Sequence, residues 1–294
     1  MGSTPPPLVE ELLARCSFPV PQTAVFCAVS GGADSLALLV LACASGCRVT
    51  AMHVDHGLRP GSAREAGAVK AACDRFGAVF VSHRVAVAPG SNLEARARRA
   101  RYGVLPTGVM TGHTADDRAE TMLLNLLRGS GAAGLAALGP SPRRPLLALR
   151  RGETVALCGQ LGLEALQDPS NSDPRFRRNR VRNELLPLLA AIAERDVVPL
   201  LTRLGGHLDE LDQLVGALAR ELDACRVADL VGAPPAVAAQ ALRSWLRQHS
   251  DAELHPPDAA TVARVLAVAR GQARATEIGG GRRVSRRGGR LVLE

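Results

Sequence analysis

Six residues, Ser30-Gly31-Gly32-Ala33-Asp34-Ser35, separate an apolar run of strand character, Thr23–Val29, from a helical run, Asp34–Ala44. A strand that gives way to a helix across two adjacent glycines has few solutions. The turn directs its backbone N–H groups at whatever lies beyond the helix N-terminus, which makes it a receptor for an anion. Gly31 and Gly32 supply positive φ and let a phosphate approach the backbone, Ser30 and Ser35 add hydroxyl donors, Ala33 keeps the turn narrow, and Asp34 is placed to hold a magnesium ion that bridges phosphate oxygens. A plain turn capped by Asp34 would explain a lone glycine pair, but not five fixed positions in a strand-to-helix context. A Walker A loop is excluded, because it needs Gly-Lys-Ser/Thr and the sole lysine, Lys70, falls in a predicted helix, Arg64–Phe76.

The same alternation continues downstream. Arg48–His53 and Ala78–Val85 read as strands, Arg64–Phe76 and Asn92–Tyr102 as helices, and Val109–Thr111 as a further strand. Strands separated by helices run parallel, so the expected fold is α/β, a doubly wound parallel sheet with a helical extension and a second, smaller C-terminal domain. Ligands of such sheets lie beyond the carboxyl ends of the strands. That rule brings Met52-His53-Val54-Asp55-His56-Gly57-Leu58-Arg59 to the crevice, and with it Gly112-His113.

Thr114 and Asp117 have capping-box spacing, and Met122, Leu123, Leu126 and Leu127 form the apolar stripe of a helix stopped by Gly129. Asp116, Asp117 and Glu120 then crowd the first turns of that helix, where they could hold magnesium or grip an ammonium group. Pro140–Arg151 reads as a connector. Farther on, Arg175-Phe176-Arg177-Arg178-Asn179-Arg180-Val181-Arg182 packs five guanidinium groups into eight positions, which repel one another unless an anion faces them. Helical character runs from Asn179 to about Arg226 with interruptions at Pro187 and Pro199, a domain boundary is expected near Ala219–Asp229, and Arg290–Leu293 belongs to a terminal hairpin.

Composition narrows the partners. A net charge of +8 suits a phosphate-rich partner, although Lys70 is the lone lysine among 36 basic residues and arginine usage is inflated throughout. Aromatic residues are only 2%, so stacking on single-stranded bases is not the expected mode of RNA contact. The seven cysteines form no CxxC, which argues for reduced thiols and a cytoplasmic location, and no targeting or membrane-spanning segment is expected.

The Ser-Gly-Gly-x-Asp-Ser turn resembles the loop of the N-type ATP pyrophosphatases, and four further segments are similar to the tRNA(Ile)-lysidine synthetases in that class: Met52–Arg59, Glu94–Tyr102, Gly112–Gly131, and Asp168–Asn171 followed by Arg175–Pro187. The resemblance is strong from Ala24 to about Pro187 and mostly architectural beyond. It implies ATP and magnesium as cofactors, and tRNA(Ile) with a CAU anticodon and L-lysine as partners. It also implies catalytic roles for Asp34, Asp117, Glu120, Arg178 and Arg180, nucleotide contacts from Ser30 to Ser35 and from His53, Val54, Arg59 and His113, and magnesium on Asp34 and Asp116. The implied domains are a catalytic one over residues 1–220 and a small, mainly helical tRNA-docking one over 221–294; dimerisation is left open. Two departures stand out: the helix usual after Tyr102 is cut short by Gly103–Gly108, and Leu166 replaces a common aromatic. A tRNA thiolase of the same fold would need a catalytic cysteine pair, and a small-molecule ligase offers no use for the arginine segments.

Overall fold

The computed structural model describes residues 6–55, 62–85, 103–166, 173–249 and 257–294, and positions 96 and 100 besides. The chain divides into two compact units, Met1–Gly206 and His207–Glu294.

In the first unit helix α1 (Pro7–Leu13) precedes strand β1 (Ala24–Ala28), helix α2 (Ala33–Ala44), strand β2 (Arg48–Asp55), helix α3 (Ser62–Phe76) and strand β3 (Val79–Arg84). The strands are parallel in the order β1-β2-β3, with Cys27 opposite Ala51 and Ala51 opposite Phe80. On the free side of β1, Met110 forms a parallel bridge to Cys27: Ala28 N–H donates to Met110 O at 2.9 Å, and Met110 N–H donates to Phe26 O at 2.8 Å. The expected strand at Val109–Thr111 is therefore a single bridge. It still sets the carboxyl end of that segment beside the carboxyl end of β1, and both lead directly into the site.

Helix α2 is buried without a break from Ser35 to Ala42, as a helix with no polar face must be. It shares one core with Val9 and Leu12 of α1, Cys27 of β1, Val69 and Cys73 of α3, and Leu157 of a later helix. That enclosure anchors the glycine turn, whose last residues are the first turn of α2.

Helices α4 (Ala115–Leu126), α5 (Ala132–Leu135) and α6 (Arg151–Gln160) follow. The stretch read as a connector ends where α6 begins. The backbone N–H of Arg150 donates to Glu153 Oε2 at 2.7 Å, and Thr154, Leu157 and Cys158 bury one face. The arginine-rich segment forms a short helix, α7 (Arg177–Arg180), continued by a wide π turn, Val181–Leu185, and by α8 (Leu186–Ala193). Pro187, expected to interrupt the helix, lies in the first turn of α8, where the π turn absorbs its missing N–H. The break falls instead at Glu194, with φ of 51°. Pro199 then sits in the first turn of α9 (Val198–Arg220).

The second unit contains the C-terminal half of α9, helices α10 (Val227–Gly232), α11 (Pro235–Gln248) and α12 (Ala259–Ala269), and strands β4 (Ala275–Gly279), β5 (Arg282–Arg287) and β6 (Arg290–Leu293). The strands form an antiparallel sheet, and Gly288 and Gly289, at φ of 55° and 76°, make the tight turn of the expected terminal hairpin. Its separate core is built on Leu230, Leu242, Trp245, Val265, Val284 and Leu291. The compact units part at Gly206, upstream of the boundary expected near Ala219–Asp229, because Val215 and Ala219 of α9 already pack into this second core.

Among the described residues no helix is long and apolar enough to cross a membrane. The helix expected at Asn92–Tyr102 lies, positions 96 and 100 aside, outside the described residues, as do Arg59 and Asp168–Asn171.

The enclosure of α2 gives a direct expectation for stability. Leu38 is fully buried in it, so Leu38→Ala should cost about 3 kcal/mol. Urea denaturation should show a lower midpoint with an unchanged m-value.

Candidate active site

The turn after β1 is closed by its own serine. Ser35 Oγ accepts from the backbone N–H of Ser30 at 3.1 Å and of Gly31 at 3.2 Å, and donates to Gly32 O at 2.8 Å. Gly31 has φ of 92°, which favours glycine, and a Cβ there would meet Leu166 Cδ1 at 2.5 Å. Leu166, the residue standing where an aromatic is common, is thus the lid of the turn: its backbone N–H donates to Gly31 O at 2.9 Å. The early amides of α2 lack intrahelical acceptors, so Ala33 and Asp34 present theirs to an anion.

Gly112 brings the second strand end against this turn. A Cβ on it would lie 2.8 Å from the carbonyl carbon of Asp34 and 3.1 Å from Ser35 N, so only glycine fits without moving the head of α2. Next to it, Thr114 begins α4: Asp117 Oδ2 accepts from Thr114 N–H at 2.9 Å and from its hydroxyl at 3.2 Å, as the capping-box spacing implies.

Carboxylates from two helices then meet arginines from two others. Asp34 Oδ1 accepts from the Thr154 hydroxyl at 2.5 Å, and Oδ2 from Arg151 Nε at 3.4 Å. Asp117 Oδ1 accepts from Arg151 Nη2 at 2.9 Å and Arg178 Nη2 at 2.8 Å. Glu120, fully buried, takes Arg151 Nη1 at 2.9 Å and Arg182 Nε at 2.6 Å on Oε1, and Arg178 Nε at 2.7 Å and Arg182 Nη2 at 3.1 Å on Oε2. Three carboxylates face three guanidinium groups.

The charges respond to this packing. Burial pushes the Asp34 carboxyl up, and the Thr154 hydroxyl and Arg151 only partly counter it. At Glu120 burial also opposes ionisation, but the hydrogen bond from Arg182 and the charges of Arg151, Arg178 and Arg182 outweigh it and hold the carboxyl below its usual range. Burial works against Arg151 too, and Asp117, Glu120 and Asp34 more than restore its charge.

Of the residues expected here, the turn, Asp34, Asp117, Glu120 and Arg178 converge. Asp116 does not join them as a partner of Asp34 for magnesium: Arg150 holds it through Nε at 3.1 Å and Nη2 at 3.0 Å, and the backbone N–H of Arg151 donates to it at 2.8 Å. Arg180 pairs with Glu184 at 2.8 Å on an exposed surface. Arg182 takes the inward place instead, since it lies four residues from Arg178 and shares its face, whereas a residue two positions away faces elsewhere. His113 is near the turn, its Nδ1 2.7 Å from Thr111 Oγ1. His53 is buried, with Nδ1 2.9 Å from Val29 O, so it braces the carbonyl just before the turn. Val54 is half-buried near the carboxyl end of β2. Sequence reasoning missed Arg151 and Thr154 altogether, and the one signal for them was the Arg-x-x-Glu spacing of Arg150 and Glu153.

Magnesium needs only one or two carboxylates when it is bound together with a polyphosphate. Among the described residues no cluster of three or more His, Cys, Asp or Glu could form a protein cage for a metal ion. Asp34, at the head of the turn, fits the first arrangement. All seven cysteines are free, and burial pushes the thiols of Cys43 and Cys73 up to about 12 and about 11, so neither is a ready thiolate.

The chain matches the PP-loop domain over residues 8–189 and the TilS substrate binding domain over residues 226–292. It is 43% identical over 239 residues to the tRNA(Ile)-lysidine synthase of Nocardia farcinica, covering 76% of this chain and 75% of that one. It is 40% identical over 296 residues to the tRNA(Ile)-lysidine synthase of Rhodococcus erythropolis, covering 93% and 90%. Among solved structures, the U34-tRNA thiolase NcsA from Methanococcus maripaludis with its 4Fe-4S cluster superimposes with a TM-score of 0.55 at 17% identity, covering 69% of this chain and 78% of that one, a likeness of fold alone.

Two outcomes follow from the geometry. Gly112→Ala should displace the first turn of α2 and weaken nucleotide binding roughly tenfold or more by isothermal titration. Glu120 has a depressed carboxyl in the folded state, so its contribution to stability is present above the unfolded value of about 4.3 and is lost as pH falls through the folded one. Melting temperature should therefore drop on acidification below about pH 4.3, and Glu120→Gln should flatten that limb while costing about 3 kcal/mol at neutral pH, because it leaves three arginines short of their counter-charge.

Proposed function

The chain belongs to the tRNA(Ile)-lysidine synthase family, ATP-using ligases that form lysidine on tRNA(Ile), and from that premise we propose how its residues divide the work. The observation that carries the reading is the glycine turn with Asp34 at its end, set against Asp117 and Glu120 across a shared guanidinium.

In the first half-reaction the turn from Ser30 to Ser35 holds the outer phosphates of ATP, and the ring carbonyl oxygen of the wobble cytidine in the CAU anticodon attacks the α-phosphorus. Pyrophosphate leaves and the base carries AMP. The activation is needed because a pyrimidine carbonyl oxygen is a poor leaving group, whereas AMP departs readily. Asp34 would hold magnesium together with the phosphates, and the ion would supply charge neutralisation on the polyphosphate. In the second half-reaction the ε-amine of L-lysine displaces AMP, with Asp117 and Glu120 orienting the amine and accepting its proton.

Charge balance explains how one cluster serves both steps. Asp117 is paired with Arg178, and Glu120 with Arg178 and Arg182. An incoming polyphosphate competes for those guanidinium forks, which suit phosphate at least as well as carboxylate. Arg178 then steadies the pyrophosphate or the adenylated base, and the carboxylates it leaves are free for an ammonium group. His53 braces the turn, and Val54, Arg59 and His113 belong to the nucleotide's surroundings in this reading. Arg180, exposed and paired with Glu184, is assigned to the RNA backbone rather than to the reacting atoms.

The second unit supplies a separate basic surface. Arg226, Arg270, Arg286 and Arg290 line an open cavity of about 660 Å³ beside the Gly288–Gly289 turn, and we assign it to docking of the tRNA phosphate backbone. The reading includes a cytoplasmic location and leaves the number of subunits to measurement.

The test is incorporation of radiolabelled lysine into tRNA(Ile) with a CAU anticodon. Label should appear only with ATP, with AMP and pyrophosphate as products. Asp34→Ala should lower turnover by at least 10³-fold with the unfolding midpoint kept within a few degrees. ADP as product, label without tRNA, or normal turnover in Asp34→Ala would refute the assignment.

A further inference from the structure

Helix α6 presents Arg151, Thr154 and Cys158 on one face, three and then four residues apart, to the head of α2. Cys158 Sγ donates to Ala33 O at 3.5 Å, Thr154 Oγ1 donates to Asp34 Oδ1 at 2.5 Å, and Arg151 Nε donates to Asp34 Oδ2 at 3.4 Å. The other two nitrogens of the same guanidinium reach Asp117 Oδ1 and Glu120 Oε1, each at 2.9 Å. Among the described residues, Arg151 is the one side chain that hydrogen-bonds to all three carboxylates.

We propose that Arg151 and Thr154 are positioning residues for the reaction: Thr154 fixes the rotation of the Asp34 carboxylate, and Arg151 locks Asp34, Asp117 and Glu120 into one rigid array. The inference rests on the functional reading above and adds two residues to it.

The argument is geometric. A carboxylate on a short side chain rotates about two bonds, and a ligand at its oxygens needs one of those rotations. Thr154 Oγ1 also lies 2.8 Å from Arg151 O, so its one proton is shared between that carbonyl and Asp34 Oδ1, and the oxygen, held at its own helix, offers Asp34 a fixed point rather than a mobile one. Arg151 differs from Arg178 and Arg182 in what it spans. Among the described residues those two reach carboxylates of α4 alone, Asp117 and Glu120, and they can move to phosphate while the array stays intact. Arg151 joins α2 to α4. A guanidinium holds its donors in a fixed plane at fixed spacing, so a lysine ammonium at this position would keep the charge and lose the template. The backbone N–H of Arg151 is held by Asp116, itself gripped by Arg150, so the base of the side chain is braced as well.

Four variants test this, with two functional readouts and the unfolding midpoint as a control. The first readout is the affinity of a non-hydrolysable ATP analogue with magnesium, by isothermal titration; the second is steady-state lysidine formation with kcat and KM for ATP and for lysine separated. Thr154→Val should raise the KM for ATP and the analogue Kd about tenfold and leave the KM for lysine within twofold, while Thr154→Ser, which keeps the hydroxyl, should restore both. Arg151→Gln should lower kcat about 10²-fold and raise the KM for lysine, and Arg151→Lys should not rescue it. Unfolding midpoints of Thr154→Val and Thr154→Ser should agree with each other, which separates positioning from a general loss of structure. Equal behaviour of Thr154→Val and wild type, failure of Thr154→Ser to restore, or full rescue by Arg151→Lys would overturn the inference while lysidine formation by the wild type stands. Absence of lysidine formation by the wild type would overturn the functional reading and this inference with it.

Discussion

A carboxylate with no solvent exposure lies at the centre of this protein, and the arrangement of the first unit follows from keeping it charged. Moving an ion out of water costs several kcal/mol unless charge and hydrogen bonds are returned to it. Glu120 receives both from Arg151, Arg178 and Arg182, which fill all of its oxygen positions. These arginines come from two separate segments, so the cluster draws α6 and the π-turn region onto α4. Apolar packing supplies most of the stability of the unit, but the pairing fixes which faces meet. It also leaves the cluster with no net charge, which suits the proposed role of accepting a polyanion and a cation in succession.

The sheet and the phosphate turn were legible in the sequence because their determinants are local. A β-rich run, two glycines and an apolar helix specify β1, the turn and α2 within about twenty positions. Thr114 and Asp117 likewise announced the start of α4, and both expectations rest on chemistry that acts across three or four residues. Arg178 and Arg182 were distinguishable from Arg180 by the same short-range rule, but five arginines within eight positions conceal which of them turn inward. The deciding information is where Glu120 lies, and that is set by the packing of a helix more than fifty positions upstream.

Helix α6 was not legible for a related reason. Its approach, Pro140 to Arg150, contains three prolines and three arginines and has the composition of a connector, and its buried face is narrow: Thr154, Leu157 and Cys158. Two of those three are small and weakly apolar, as they must be where a helix lies close to the head of another. The need for close approach that makes α6 useful to the site therefore removes the periodic signal by which it would be recognised. Gly112 is subject to the same constraint, since its missing side chain leaves room for the backbone of α2.

The state of the phosphate turn bears on how a ligand would enter. Ser35 already satisfies the amides of Ser30 and Gly31, and Leu166 covers Gly31. The turn thus holds its shape through its own hydroxyl and a neighbouring backbone bond. Preorganisation of that kind lowers the cost of binding, because the donors need not be gathered when the ligand arrives. In the proposed reading the remaining adjustment is confined to side chains: the Ser35 hydroxyl turns its proton from Gly32 O to a phosphate oxygen, and Arg178 and Arg182 exchange carboxylate for phosphate. Rigid backbone and mobile guanidinium groups are complementary parts of one design, and Arg151, tied to three acceptors on two helices, belongs to the rigid part.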